Sequence, residues 1–321
     1  MTRRLAVVAH FNPTGRVADH VLRQLDVLVA AGHEVVLSTT TPVSGNDRAE
    51  VLSRARILHR RNVGQDFGSW HDVLAACDYG ADYEDVLLTN DSYVSVIDDL
   101  AKIRATMTSR GADVWGMTKS SRHAEHLQSY FLYFHRKAVA SPAFRTFWKT
   151  FHAAPDRRRT ILEHEIGISR TMREAGFALQ AYLQPTREER LLANARTLHQ
   201  LRTRRDVYPR RFQGLEDLFD HTNVADPDEA DKSNWAASLA DLVLDDRRLP
   251  LVKMDTLRFD PYWLDSARLL RACERRFPFE FDGVRRYLRD SAFAYPARPD
   301  ENYKPARVPK SEPSWIGYRA R

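Results

Sequence analysis

Arg60-Arg61-Asn62-Val63-Gly64-Gln65-Asp66-Phe67-Gly68-Ser69-Trp70 is the stretch whose reading decides the fold. It follows a short apolar run of strand length, Ala55 to Leu58, and leads into a helix-like run from Phe67 to Asp78. Basic, amide and acidic side chains crowd a glycine-containing turn at a strand-to-helix junction, which is where open α/β sheets bind ligands. A second polar cluster, Thr89-Asn90-Asp91-Ser92-Tyr93, ends the next strand-like run, Asp85 to Leu88. Two polar strand ends in successive units predict one crevice for a charged, hydroxyl-rich ligand.

Working outward, the chain alternates strand and helix. Leu5 to Phe11 reads as a strand, Val17 to Ala31 has apolar residues at helical spacing, and Gly32 stands where a helix-terminating glycine belongs. His33 to Thr39 is a β-branched strand, followed by a short helix near Arg48 to Arg54. Asp98 and Asp99 open a helix, Leu100 to Arg110, that Gly111 closes. Asp113 to Met117, Ser129 to Phe134 and Ala178 to Leu183 are further strands, with helices over Ser141 to Phe151 and Ile161 to Ala175. The fold expected is α/β, a Rossmann-like, mainly parallel sheet flanked by helices, with a mostly helical C-terminal region. Three segments are expected: 1–185 as a ligand-binding α/β domain, 186–295 as a helical region, and 296–321 as a basic extended tail. The arginine-rich stretch from Arg187 to Arg211 reads as a solvated helix.

The 321 residues are 43% hydrophobic, enough for a real core, and carry a formal charge of +6. That charge suits nucleotide phosphates, nucleic acid or an anionic membrane surface without choosing among them. Cys77 and Cys273 form neither a disulfide framework nor a zinc spacing. Met1 to Ala9 has too short an apolar stretch for a signal peptide, and no run reaches the roughly 18 to 20 apolar residues of a membrane span. A soluble cytoplasmic protein is expected, with the basic tail and its Tyr303, Trp315 and Tyr318 offering peripheral contact with the inner face of the membrane.

Within the turn, Asn62 offers donors and acceptors, Asp66 accepts from hydroxyls or caps the helix, Gly64 permits close approach, and Arg60 and Arg61 can neutralise phosphate. Asn90-Asp91-Ser92 can hold a metal, a ribose or a sugar hydroxyl, or simply start a loop. His10 and Asn12 end the first strand and can touch a nucleotide, although neither a P-loop nor a dinucleotide fingerprint is present. His126, Gln128 and Ser129, next to Tyr130, suit hydrogen bonding to sugar hydroxyls better than a zinc site. Glu165 is a general-base candidate if it faces the crevice.

Taken in order, these residues resemble the rhamnan synthesis protein F family of bacterial glycosyltransferases. The resemblance is carried by Val8-Ala9-His10-Phe11-Asn12-Pro13, Arg61 to Trp70, Leu87-Leu88-Thr89-Asn90-Asp91-Ser92, Trp115-Gly116-Met117-Thr118 and His126 to Phe131. It continues through Phe144, Phe147-Trp148, Glu165-Ile166-Gly167-Ile168-Ser169 and Leu249-Pro250-Leu251-Val252-Lys253 with Leu257-Arg258.

The resemblance implies a glycosyltransferase A-type fold. It implies transfer of a 6-deoxyhexose, L-rhamnose from dTDP-L-rhamnose, to a cell-surface polysaccharide or lipid-linked glycan acceptor, with inversion. Asn90-Asp91-Ser92 then stands where such enzymes carry an Asp-x-Asp metal motif. Only one acid is present, so a divalent metal, Mg²⁺ or Mn²⁺, held by Asp91 stays an open expectation. Donor binding falls to His10, Asn12, Arg61, Asn62, Gly64, Asp66, Asn90, Asp91 and Lys253. Acceptor binding falls to His126, Gln128, Ser129 and Tyr130, and catalysis to Glu165 and Asp91. The competing reading is a non-catalytic module binding nucleic acid through the Arg187 to Arg211 stretch and the tail, or a polysaccharide-assembly scaffold. No nucleic-acid motif or base-stacking platform supports it, so nucleic acid is not an expected partner.

Overall fold

The computed structural model describes residues 3–77, 83–207, 225–295 and 315–319. Its centre is a seven-stranded sheet. Arg4–His10 (β1), Glu34–Thr39 (β2), Arg56–His59 (β3) and Asp85–Asn90 (β4) pair in parallel. Further along the chain come Tyr93–Ser95 (β5), Val114–Gly116 (β6), Lys119–Ser120 (β7), His126–Leu127 (β8), Phe131–Phe134 (β9), Leu179–Ala181 (β10) and Leu251–Lys253 (β11). The strand order is β10-β6-β9-β4-β1-β2-β3. The fold is therefore α/β with a mainly parallel sheet, as the sequence predicts. One strand departs from the parallel rule: β9 runs antiparallel between β4 and β6, reached through the small β7–β8 hairpin.

β1 and β4 are buried along almost their whole length, because helices cover both faces, so they read as continuous apolar runs rather than alternating ones. On one face, Asp19–Ala30 (α1) contributes Val21, Leu25 and Leu28. Gly45–Leu52 (α2) follows, with Val51 in the same cluster. On the other face, Gln65–Ala75 (α3) packs Phe67, Trp70 and Leu74 against the sheet. Leu100–Ser109 (α4) begins at Asp99, whose side chain accepts from Lys102 N at 2.9 Å, a side-chain N-cap. Pro142–Lys149 (α5) buries Phe144 and Trp148 in the core on this face.

Arg157–Thr160 begins a helical rod that passes through one π-helical stretch, Ile161–Glu165, into Ile166–Glu174 (α6). π turns of this kind recur near functional sites.

The C-terminal region is mostly helical. Arg187–Val207 (α7) is not the solvated helix the charge pattern predicts. Arg196 is fully buried, and it spends its donors on Asp241, the Ser238 carbonyl and the carbonyls of Ile316 and Gly317. Arg190 turns to Asp231 at 2.8 Å. Arg210 and Arg211 lie outside the described residues. Met254–Phe259 (α8), Ser266–Arg276 (α9) and Val284–Asp290 (α10) surround a third core. Ile316 and Tyr318 belong to that core, which corrects the expectation that Tyr318 sits at a lipid surface. Trp315 is exposed, and Tyr303 falls outside the described residues. Strand β11 pairs antiparallel with β5, with Lys253 opposite Tyr93. That pairing brings the C-terminal region to the end of β4. Among the described residues, no helix is long and apolar enough to cross a membrane.

Candidate functional site

The ends of β1, β2, β3 and β4 open into one cavity of about 320 Å³. His10 and Phe11 reach it from β1, Thr40 from the end of β2, and Asp91 from the end of β4. The turn into α3 contributes Asn62, Gln65, Asp66 and Ser69. Asp66 and Asp91, the two carboxylates singled out from separate strand ends, therefore share a single cavity.

The turn before α3 holds its shape for backbone reasons. Gly64 is the residue just before the helix, at φ +77°, a conformation glycine adopts without strain. Gly68 lies so close to the turn that an added Cβ would sit 2.2 Å from the Val63 carbonyl oxygen. Arg60 does not face a phosphate: it pairs with Asp72 at 2.7 Å and donates to the Val63 carbonyl oxygen at 2.7 Å, tying the turn to α3. Asp66 is not the helix cap either. Its carboxylate turns to Asn90, whose Nδ2 donates to it at 2.7 Å.

Asp91 accepts from the Phe11 backbone N–H at 2.9 Å. Burial pushes its carboxyl up to about 7; the Asp66 charge adds to this, while the Phe11 N–H and Lys253 oppose it. Burial also raises the Asp66 carboxyl, against the pull of Asn90. Behind the two acids runs a relay. Lys253 Nζ donates to Ser92 Oγ, and Ser92 Oγ donates to Asn90 Oδ1 at 2.6 Å. The Lys253 ammonium also lies 4.4 Å from the centre of the Tyr130 ring, and burial lowers its pKa. Lys253 and Asn90 thus support the acids from behind rather than line the cavity.

His10 is neutral, because burial lowers its pKa to about 4. Its Nδ1 lies 2.9 Å from Thr39 Oγ1, whose own proton goes to the Thr41 carbonyl oxygen. Nδ1 must then carry the hydrogen, which makes Nε2 a bare acceptor, and Nε2 is buried without a protein partner.

Other expected residues fall elsewhere. Asn12 accepts from Thr14 N and Oγ1 and shapes its own turn. Arg61 is exposed and does not line the cavity. The cation on the cavity wall is Arg157. Its only sequence signal is its place in the Arg157-Arg158-Arg159 run ahead of the Glu165 helix.

His126, Gln128, Ser129, Tyr130 and Glu165 assemble, but beside the cavity rather than in its lining. Ser129 donates to Glu165 Oε2 from both its backbone N, at 2.8 Å, and its Oγ. His126 Nε2 lies 3.2 Å from Glu165 Oε1. Tyr130 and Gln128 meet at Thr118 Oγ1, each at 2.6 Å. With its oxygens taken up this way, Glu165 is badly placed to receive a proton from an acceptor hydroxyl. Burial alone would raise its carboxyl, but His126 and Ser129 together bring it below the usual range.

No group of three or more His, Cys, Asp or Glu able to hold a metal occurs among the described residues. The donor set nevertheless fits a cation shared with a ligand. The Asp66 charge helps raise the Asp91 carboxyl, and each carboxylate retains lone pairs. Magnesium is commonly bound by one or two carboxylates plus substrate phosphates.

Residues 35–201 match the model of one family, rhamnan synthesis protein F. The chain belongs to that family. A curated relative, the uncharacterized protein y4gN of Sinorhizobium fredii (strain NBRC 101917 / NGR234), is 27% identical over 188 residues, covering 56% of this chain and 49% of the relative. The chain thus spans about half the length of the curated relative it matches. Among solved structures, a cytidylyltransferase from Leptospira borgpetersenii serovar Hardjo-bovis (strain JB197) aligns over 56% of this chain and 75% of its own, with a TM-score of 0.33 and 8% identity. A likeness that faint carries no argument about the ligand. The family match spans the α3 turn, the β4 end and the Glu165 helix, the segments that supply Asp66, Asp91 and Arg157.

Proposed function

We propose that this chain is a glycosyltransferase of polysaccharide synthesis, with a glycosyltransferase A-type fold, that uses a nucleotide sugar and inverts the anomeric carbon. The reading rests on one observation: Asp66 and Asp91 share a cavity with Arg157 at the carboxyl ends of parallel strands. A cavity with two acids and one cation suits a ligand that presents both hydroxyls and a diphosphate. Family membership favours, as the donor in this reading, a 6-deoxyhexose such as L-rhamnose carried on dTDP, passed to a glycan or lipid-linked acceptor. On this reading residues 1–185 bind the donor, 186–295 complete the acceptor side, and 296–321 form a basic tail.

In this scheme the nucleoside lies against His10, Phe11 and Asn62. His10 Nε2 accepts from a nucleobase N–H or a ribose hydroxyl, and the exposed Phe11 ring offers a flat apolar face. Arg157 stands opposite the diphosphate and stabilises the charge that builds there as the sugar leaves. Asp66 and Asp91 accept from the sugar hydroxyls or hold Mg²⁺ or Mn²⁺. When bound, the metal would add positive charge beside the departing diphosphate. Lys253, Ser92 and Asn90 fix Asp66. Glu165 fixes Ser129 and so the turn that carries Tyr130.

A thermal-shift and calorimetric screen tests this. Sugars linked to dTDP, UDP, GDP and CDP are compared with and without Mn²⁺. The expected outcome is a selective response to dTDP-linked sugars, weakened at least tenfold in Asp91→Ala and in Arg157→Met. A chain that responds to no nucleotide sugar is not a transferase of this class.

A further inference from the structure

The donor wall comes from strand ends, from the α3 turn and from Arg157. The rest of the lining has another origin and another chemistry. Asp255 and Phe259 are four residues apart on α8, so they share one face of the helix, and both line the cavity. Tyr295 lines it beside them. Arg258 holds Tyr295 in place: its guanidinium lies 4.2 Å from the ring centre. It also donates to the Leu288 carbonyl oxygen at 3.2 Å and to Ser291 Oγ at 2.9 Å. The wall is therefore a carboxylate flanked by two aromatic rings, one of them locked by a cation that faces away from the ligand space.

That chemistry is wrong for phosphate, which Asp255 repels, and right for a pyranose. Aromatic faces pack against the apolar C–H face of a sugar ring, and a carboxylate accepts from its hydroxyls. The cluster of His126, Gln128, Ser129 and Tyr130 does not compete for this role, because its polar groups are engaged with Glu165, Thr118 and Asn234 outside the cavity. We propose that Asp255, Phe259 and Tyr295 form the acceptor subsite, that it takes a pyranose, and that Asp255 is the proton acceptor. This rests on the nucleotide-sugar reading above. In the step, the acceptor O–H bond breaks and its proton passes to the Asp255 carboxylate. The freed oxygen bonds to the anomeric carbon, and the bond from that carbon to the diphosphate oxygen breaks. The electron pair leaves with the diphosphate, opposite Arg157.

The full chain is saturated with dTDP, and methyl α-L-rhamnopyranoside and methyl α-D-glucopyranoside are added, with saturation-transfer NMR reporting contact. Contact with pyranoside C–H protons is expected, weakened at least fivefold in Phe259→Ala and in Tyr295→Ala, while dTDP affinity stays within twofold. Release of dTDP from dTDP-L-rhamnose in the presence of the bound pyranoside is expected to fall about 100-fold or more in Asp255→Asn, the range lost with a general base. If dTDP binds but neither pyranoside touches the protein, or the aromatic variants change nothing, the subsite is overturned. If Asp255→Asn stays within threefold of the wild type, or the wild type releases no dTDP, the role of Asp255 is overturned. A wild type that does not bind dTDP overturns the donor reading instead, and the two failures are thereby told apart.

Discussion

His126 and Glu165 are a charged pair, His126 buried and Glu165 partly so. His126 Nε2 lies 3.2 Å from Glu165 Oε1, and His126 Nδ1 lies 2.7 Å from the Ala124 carbonyl oxygen. Neither partner has a proton to give, so both ring nitrogens carry one and the ring is an imidazolium. The pKa directions agree: His126 is raised, burial being outweighed by Glu165, and Glu165 is lowered.

Removing one partner should therefore cost stability. Glu165→Gln leaves a buried cation facing an amide, and the expected loss is on the order of 3–5 kcal/mol by chemical denaturation. The pH dependence follows from the shifts. The lowered folded pKa of Glu165 gives stability that is complete above 4.5 and is lost as pH falls through that folded value. The raised folded pKa of His126 gives stability that is complete below 6.5 and is lost as pH rises through it. The gap between wild type and Glu165→Gln should be widest between pH 4.5 and 6.5. A gap that does not vary with pH would refute the imidazolium.

Gly68→Ala tests the turn before α3. The new Cβ meets the Val63 carbonyl oxygen at 2.2 Å and Arg60 Nη2 at 2.7 Å, and a backbone oxygen cannot simply swing away. A loss of about 1–3 kcal/mol is expected, with weaker nucleotide binding because Asn62 and Asp66 ride on the same turn. Gly64→Ala should cost about 1–2 kcal/mol for a side chain at positive φ, and its Cβ would also press on Phe151 at 3.2 Å and on Gly68 Cα at 3.3 Å. Equal melting temperatures for wild type and Gly68→Ala would show that the turn relaxes freely.

The buried Arg196–Asp241 pair, bidentate at 2.8 and 2.9 Å, should behave asymmetrically. Asp241→Ala strands a buried guanidinium and is expected to cost about 3–5 kcal/mol, whereas replacing both residues by apolar side chains of similar size should recover part of that loss. Recovery is expected to be incomplete, because Arg196 also holds the Ile316 and Gly317 carbonyls. Urea denaturation of the single and double variants, arranged as a cycle, gives the coupling.

His33 supplies a separate acid-sensitivity test. Burial lowers its pKa from 6.5 to about 4, so the unfolded chain takes the proton first. The stability it contributes is complete above pH 6.5 and is lost as pH falls toward 4. His33→Gln should flatten the acid limb of the stability curve by at most about 3 kcal/mol. Groups shifted the other way, such as Asp91, are common to both proteins and cancel in the comparison. An unchanged acid limb would mean that His33 titrates normally in the fold.

Much of this molecule was legible in the chain itself, for a local reason. The apolar run of β4, the helical spacing of α1, Gly32 at φ +80° behind it and the Asp99 cap of α4 all depend on residues within one or two turns of each other. The same holds for the polar turn around Asn62 and the cluster around Asp91, which local sequence placed at strand ends. The antiparallel direction of β9, the pairing of β11 with β5, Arg157 as the cavity cation and the wall of Asp255, Phe259 and Tyr295 were decided only by the tertiary structure. A strand's periodicity is the same in either direction, and a charged side chain looks alike in sequence whether it meets solvent or a partner distant in the chain. Arg196 falls in a stretch that reads as a solvated helix and Glu165 reads as a general base, until packing brings Asp241 and His126 to them. Burial then set their roles, because desolvation and partner distance belong to the folded arrangement and not to the order of residues.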